Sequence, residues 1–225
     1  MDIAVLIPAY NEADAIADTV AAARAIPGVT RVVVIDDSSD DETAVCAEDA
    51  GAKVVRLRNN VGKGAALEAG AMRVENADII MLLDGDLGKT AEQGALLLAP
   101  VRTGEADMSI AAFPRPQNKA GFGLVKGLAR RGIAAMGGGF EANAPLSGQR
   151  ALSQACFQTV RPFASGYGVE VALTVQALRR GMRVLEVETT MAHAATGRDV
   201  AGFVHRGRQF VHVSIALVRL GFERR

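Results

Sequence analysis

The sequence lacks an excess of charge of either sign and lacks a long apolar run. Its 225 residues hold 25 Lys plus Arg and 25 Asp plus Glu, which excludes a global field that would favour nucleic acid. No apolar stretch reaches the roughly 20 residues that span a bilayer. The first residues lack the basic and long apolar regions of a signal peptide, so we expect a cytoplasmic location.

Cysteine is scarce as well. Cys46 and Cys156 lie in apolar, helix-like stretches without CxxC or metal-ligand spacing, and we interpret them as buried free thiols. Because 49% of the positions are hydrophobic, the chain can bury one substantial core. The length predicts a single domain over residues 1–225.

Short apolar runs alternate with helical patterns in the first half of the chain. Runs that are apolar on both faces, separated by helices, predict an α/β fold with a mostly parallel sheet flanked by helices. The predicted strands are residues 3–7, 32–35, 53–57, 79–83, 108–112 and 183–187. The predicted helices include residues 12–25, 41–50, 63–74, 169–179 and 203–220, with partly helical structure over 114–143.

Polar residues follow the predicted strands, at the sheet edge where ligands of α/β proteins gather. Asp84 and Asp86 come after an entirely apolar run, and paired carboxylates suit Mg²⁺ or Mn²⁺ held together with substrate phosphates. Gly85 between them leaves room for a diphosphate. The same tripeptide, taken alone, is also an ordinary turn.

Two further segments belong to this edge. Asp36 and Asp37 follow the second apolar run, where a nucleoside base or a ribose hydroxyl would give a buried carboxylate a partner. Lys63 stands at a helix start after Asn59, in a loop that resembles a phosphate cradle. That loop lacks the P-loop pattern, which disfavours an ATPase.

The chain resembles the family 2 glycosyltransferases in four spaced motifs, V-L-I-P-A-Y-N-E, V-V-V-I-D-D-S-S-D-D-E-T, N-N-V-G-K-G-A-A-L-E-A-G and M-L-L-D-G-D-L. The resemblance is densest over residues 3–90 and is greatest to the polyprenyl-phosphate sugar transferases, the dolichyl-phosphate mannose synthase-like group, without transmembrane helices. It implies a GT-A fold, a UDP- or GDP-sugar donor, Mg²⁺ or Mn²⁺ at a DXD motif, and residues 1–112 as the donor half.

The resemblance also implies roles for single residues. The nucleotide-sugar contacts it assigns are Pro8, Tyr10, Asn11, Glu12, Asp37, Lys63, Asp84 and Gly85. The metal ligands it assigns are Asp84 and Asp86, together with the late His193. Arg198 would neutralise the diphosphate leaving group as its charge develops.

The acceptor half is expected within residues 113–202. Ser147, Gly148, Gln149 and Arg150 match an S-G-x-R-A segment that forms part of the acceptor region in the polyprenyl-phosphate enzymes, although spacing alone also fits a loop leading into a helix. Glu170 falls where inverting members place a general base, or it stabilises the helix dipole. The acceptor is a polyprenyl phosphate or a small hydroxyl or phosphate compound, and a phosphate would need no base.

The last part of the chain leaves two questions open. The region of His193 and Arg198 is similar to that of the glucosyl-phosphoglycerate synthases, which retain anomeric configuration. Transfer with retention is therefore an alternative to transfer with inversion. Residues 203–225 form a basic amphipathic pattern, either a helix packed on the core or a peripheral membrane contact.

Two other classes are weighed against a transferase. A nucleotidyltransferase would open with a Gly-rich loop where this chain has Pro8 to Glu12. An inactive scaffold is disfavoured by the intact Asp84, Asp86 and Lys63.

Overall fold

A central sheet organises the molecule. The computed structural model describes residues 1–113, 123–164, 166–192, 211 and 213–221. The strands are β1 Ile3–Ala9, β2 Val29–Asp36, β3 Lys53–Arg56, β4 Ile79–Leu82, β5 Met108–Ala112, β6 Arg150–Ser153 and β7 Val184–Glu188. Within these described ranges they form one seven-stranded sheet in the order β3-β2-β1-β4-β6-β5-β7.

Helices cover both faces of this sheet. They are α1 Ile16–Ala25, α2 Thr43–Asp49, α3 Lys63–Ala71, α4 Gly94–Arg102, α5 Gly123–Met136, α6 Gln154–Thr159 and α7 Val169–Arg179. Residues 213–221 are also helical where they are described. The predicted α/β class with a mostly parallel sheet is confirmed.

Strand β1 is apolar on both faces because it lies inside the sheet, paired in parallel with β2 and β4. Successive side chains of a strand point to opposite faces. Ile3, Val5 and Ile7 therefore pack in the core that includes α1 and α4. Ala4 and Leu6 pack in the opposite core with α3, α6 and α7. Burial on both faces explains the continuous apolar run in the sequence.

Strand β6 runs antiparallel to its neighbours and brings the predicted acceptor segment to the edge of the sheet where ligands are expected. It pairs antiparallel with both β4 and β5, and Arg150 lies opposite Leu82 at the carboxyl end of β4. Residues 147–149, which precede β6, therefore lie beside Asp84. The alternative of a loop leading directly into a helix is wrong, because the strand intervenes before α6.

A third core joins α5, α7 and the helical residues 213–221. Val171 and Val175 of α7 pack with Ile133, Val213 and Leu217. Helix α5 ends at Met136, directly before a run of three glycines. In the described part of the chain, no helix is long and apolar enough to cross a membrane.

Replacing Leu6 by Ala tests the sheet packing. Leu6 is fully buried, so the substitution leaves a cavity between β1 and the neighbouring helices. We expect the free energy of unfolding in urea to fall by about 2–5 kcal/mol. The control Met72→Ala removes a side chain that is 72% exposed and should change stability by about 0.5 kcal/mol or less. Equal losses in both variants would contradict this packing.

Candidate active site

Two carboxylates hold the ammonium of Lys63 at the ligand edge of the sheet. Lys63 Nζ lies 2.6 Å from Asp84 Oδ1 and 2.8 Å from Glu170 Oε1. Lys63 begins α3, Asp84 follows β4, and Glu170 lies in the first turn of α7. The Glu170 side chain is only 8% exposed, whereas those of Lys63 and Asp84 are 22% and 21% exposed. One cation thus joins three secondary-structure elements.

The charges around Lys63 keep it protonated. Burial lowers the pKa of an ammonium, but the carboxylates of Asp84 and Glu170 outweigh burial here and raise the pKa of Lys63 above its ordinary value. Short contacts between ionised groups of this kind are stronger than neutral hydrogen bonds. The amine is therefore a fixed positive charge at neutral pH.

Gln149 fixes the other oxygen of Asp84. Its Nε2 donates to Asp84 Oδ2 over 2.7 Å, and its Oε1 accepts from Ser147 Oγ at 3.1 Å. The Gln149 side chain is fully buried. Asp84 is therefore oriented from two sides, by Lys63 and by Gln149.

Arg150 closes these contacts into a ring. Its Nε donates to Ser147 O over 3.1 Å, and its Nη2 donates to Glu170 O over 2.8 Å. Nη1 donates to Thr174 Oγ1 over 2.9 Å. The side chain is fully buried, and this burial lowers the pKa of Arg150 to about 10, which still leaves it charged at neutral pH. The ring runs through Arg150, Glu170, Lys63, Asp84, Gln149 and Ser147.

Gly148 allows these side chains to approach one another. A Cβ at this position would lie 2.4 Å from Lys63 Nζ and 2.8 Å from Asp84 Oδ1. Any larger residue would push the ammonium away from the carboxylate. Of the four predicted acceptor residues, Gln149 and Arg150 are fully buried and Ser147 is 5% exposed, so these side chains hold the ring together from inside.

Asp37 is placed beneath the loop that leads into α3. Its Oδ1 accepts from Val61 N and its Oδ2 accepts from Gly62 N, both at 2.8 Å. The residue is 3% exposed. Asp37 thus fixes the start of the helix that carries Lys63, while its neighbour Asp36 forms an ion pair with Arg56 at 3.1 Å.

The predicted nucleoside residues follow β1. Pro8 and Glu12 are half-buried, whereas Tyr10 is 44% exposed. Asn11 has a φ of +55° and binds the loop after β2, since its N donates to Ser39 Oγ over 3.0 Å and its Oδ1 accepts from Asp40 N at 2.9 Å. The loops after β1 and β2 therefore form one surface beside Asp84.

The carboxylate of Asp86 is suited to bind a divalent ion. It is half-buried just beyond β4, and Mg²⁺ commonly takes one or two carboxylates together with substrate phosphates. Within the described residues, no group of three His, Cys, Asp or Glu side chains is placed to hold a metal by itself. A Cβ on Gly85 would meet Ala9 Cβ and Glu12 Cγ, each at 3.3 Å. His193 and Arg198 lie outside the described residues.

Sequence reasoning missed the carboxylate of Glu186, which supports the backbone just before the predicted acceptor segment. Glu186 of β7 accepts from Asn143 N at 3.0 Å and from Ala144 N at 2.8 Å, just before Ser147. No local pattern marks this role, because the partners are 43 and 42 positions apart.

Comparison with known proteins places the chain in a family. The model of glycosyl transferase family 2 matches residues 4–141. The chain belongs to glycosyl transferase family 2. Among family members, the glycosyltransferase AglJ of Haloferax volcanii is 32% identical over 212 residues, covering 88% of this chain and 65% of AglJ. The glucosyl-3-phosphoglycerate synthase of Mycolicibacterium smegmatis is 31% identical over 198 residues, covering 79% of this chain and 64% of the synthase.

Solved structures of this family have the same fold. The glucosyl-3-phosphoglycerate synthase of Mycobacterium tuberculosis, in complex with Mg²⁺ and UDP, matches with a TM-score of 0.80 and 27% identity, covering 97% of this chain and 79% of that one. The same enzyme has been crystallised with phosphoglyceric acid, again with a TM-score of 0.80. The GT-A fold is confirmed. The chain spans just under two thirds of the length of AglJ and of the M. smegmatis synthase.

Gly148→Ala tests the close packing around Lys63. The added methyl group overlaps the ammonium and Asp84, so we expect a loss of about 1–3 kcal/mol in the free energy of unfolding. The matched control is Gly127→Ala in α5, where a Cβ meets nothing within 4 Å. That change should be neutral or stabilising, because Ala favours a helix. Thermal unfolding of both variants gives the comparison, and an unaltered Gly148→Ala protein would contradict the packing.

Proposed function

We propose that this chain transfers a sugar from a UDP-sugar to a phosphate-bearing acceptor, assisted by Mg²⁺ or Mn²⁺. The observation that carries the proposal is the position of Asp84 and Asp86 beyond β4, in a family 2 fold that matches a structure containing Mg²⁺ and UDP. The same enzyme has been crystallised with Mn²⁺ and UDP-glucose, which favours UDP over GDP as the nucleotide.

The charges at the site support the need for a metal. Within the ring, Lys63 contacts Asp84 and Glu170, while Glu12, Asp37 and Asp86 follow β1, β2 and β4 at the same edge of the sheet. An anionic diphosphate would be repelled by such a surface unless a further cation accompanied it. Asp86 is the residue that we assign to holding this ion, which when bound acts as a Lewis acid on the leaving phosphate.

In this proposal Lys63 binds a phosphate of the donor, and Glu170 orients Lys63. An ammonium has three donors, and Asp84 and Glu170 use two of them, so the third can donate to a phosphate of the donor. Glu170 already holds Lys63, which favours a role in orienting that lysine over one as a general base. The similarity to glucosyl-3-phosphoglycerate synthases likewise favours the alternative of retention over inversion.

A small phosphate-bearing acceptor fits the comparisons best. The M. tuberculosis synthase has been crystallised with phosphoglyceric acid and with glycerol 3-phosphate. In this chain the segment of Ser147 and Gly148 borders Asp84 and is the proposed acceptor side of the site. The buried Gln149 and Arg150 would act there by holding the backbone in place.

A lipid phosphate is a second candidate acceptor because one helical face is apolar and exposed. Val211, Ile215 and Val218 are 52%, 45% and 58% exposed, and their spacing places them on one side of a helix. The surrounding sequence, residues 203–225, is rich in arginine. Such a face can contact an anionic membrane surface peripherally.

Calorimetry with UDP and Asp86→Ala tests the donor site. We expect the wild-type protein to bind UDP in the presence of Mn²⁺, with weaker binding of GDP. Chelator or Asp86→Ala should lower the UDP affinity at least about tenfold, which corresponds to about 1.4 kcal/mol. Asp18→Ala, at an exposed position of α1, should bind like the wild type. A folded wild-type protein that binds neither UDP nor Mn²⁺ would support the scaffold alternative instead.

Sedimentation with anionic vesicles tests the lipid alternative. If the exposed face meets the membrane, the protein pellets with phosphatidylglycerol vesicles, and replacing Val211, Ile215 and Val218 together by Ser releases it. Met72→Ser changes another exposed apolar residue and should leave pelleting unaltered. Wild-type protein that stays in the supernatant would exclude this alternative and leave the small acceptor.

A further inference from the structure

We propose that Lys63 is a resident counter-cation that keeps Asp84 and Glu170 from binding the divalent ion, so that metal enters the site only together with the nucleotide diphosphate. The inference rests on the proposed function for the identity of that nucleotide. It adds an order of binding and assigns this order to one side chain.

The position of Lys63 is the first step of the argument. Its Nζ contacts Asp84 Oδ1 at 2.6 Å and Glu170 Oε1 at 2.8 Å, distances typical of charge-assisted hydrogen bonds. The ammonium therefore occupies the space between the two carboxylates, where a metal bridging them would otherwise lie. Gly148 closes the same space, since even a methyl group there would lie 2.4 Å from Nζ.

The second step is the balance of charge. Two carboxylates without Lys63 would carry a charge of −2, and the ammonium reduces it to −1. A divalent ion that approached them would have to displace a cation held by two short contacts, and the second oxygen of Asp84 already accepts from Gln149 at 2.7 Å. The carboxylates of Asp84 and Glu170 therefore bind Lys63 in preference to a divalent ion.

Asp86 is the carboxylate to which the proposed function assigns the metal. Mg²⁺ and Mn²⁺ prefer several oxygen ligands, and a diphosphate supplies the oxygens that one carboxylate lacks. Metal alone should therefore bind weakly, and metal with UDP should bind well.

Removing the ammonium should convert the carboxylate pair into a metal site. In Lys63→Met, the apolar side chain is similar in length but leaves both carboxylates uncompensated. We expect this variant to bind Mn²⁺ without nucleotide about tenfold or more tightly than the wild type, because the attraction of the pair for a cation is no longer offset. The signal of free Mn²⁺ in electron paramagnetic resonance measures this binding directly.

Three further variants show where the gained binding comes from. Lys63→Met combined with Glu170→Gln removes one of the uncompensated charges and should lose most of the gain. Lys63→Arg keeps a cation and should show no gain. Lys53→Met, at an exposed position of β3, is the matched control for loss of a lysine and should behave like the wild type.

Lys63→Gln is a second neutral variant for the case that Lys63→Met does not fold, which circular dichroism would reveal. Its amide is polar but carries no charge, so this variant should also gain Mn²⁺ binding. Should both neutral variants be recovered unfolded, refolding with and without Mn²⁺ decides the question. Recovery that requires Mn²⁺ supports the inference, and no recovery under either condition overturns it.

The outcomes separate this inference from the proposed function. Folded Lys63→Met or Lys63→Gln protein with no gain in Mn²⁺ binding overturns the counter-cation role, even if the wild type binds UDP with Mn²⁺. Wild-type protein that binds Mn²⁺ alone as tightly as Lys63→Met overturns it as well. A wild type that binds no UDP under any condition contradicts the proposed function, while the comparison of Mn²⁺ binding still stands.

Discussion

The ammonium of Lys63, held between Asp84 and Glu170, is the interaction on which the rest of the site depends. Glu170 is almost fully buried, whereas Lys63 and Asp84 are partly exposed, so removing Lys63 would leave one desolvated carboxylate without its cation, which costs more than losing an exposed ion pair. The carboxylates that follow β4 and begin α7 tolerate their proximity because this cation lies between them. Gln149 donates to Asp84 and Arg150 donates to the carbonyl of Glu170, so these contacts also fix the segment before β6.

The sheet explains how residues so distant in sequence meet. Parallel β1, β2 and β4 deliver their following loops to one edge, which is where α/β sheets bind ligands. The antiparallel β6 enters this edge from the opposite direction, so the residues before it, rather than after it, join the site. One antiparallel strand therefore joins the proposed acceptor side to the proposed donor side.

The hydrophobic pattern predicted most of the architecture, since β1, β2 and β4 are buried on both faces and read as apolar runs. It missed β6 because four residues that begin with a buried arginine carry no strand signal. Motifs located Asp84, Asp86 and Lys63 but did not indicate which groups pair. Asp37, for example, accepts hydrogen bonds from residues 24 and 25 positions away, and Arg150 contacts a carbonyl 20 positions away. Tertiary contacts of this kind are invisible to local patterns.

The central claim is that the two cations of this site have different carboxylate partners. The metal binds Asp86, and Lys63 remains between Asp84 and Glu170. Anomalous diffraction at the manganese edge, from crystals grown with Mn²⁺ and UDP, tests it most directly. The account predicts one manganese peak within bonding distance of Asp86 and of the diphosphate, with Lys63 still in contact with both carboxylates. A manganese ion that bridges Asp84 and Glu170, with Lys63 displaced, would contradict it.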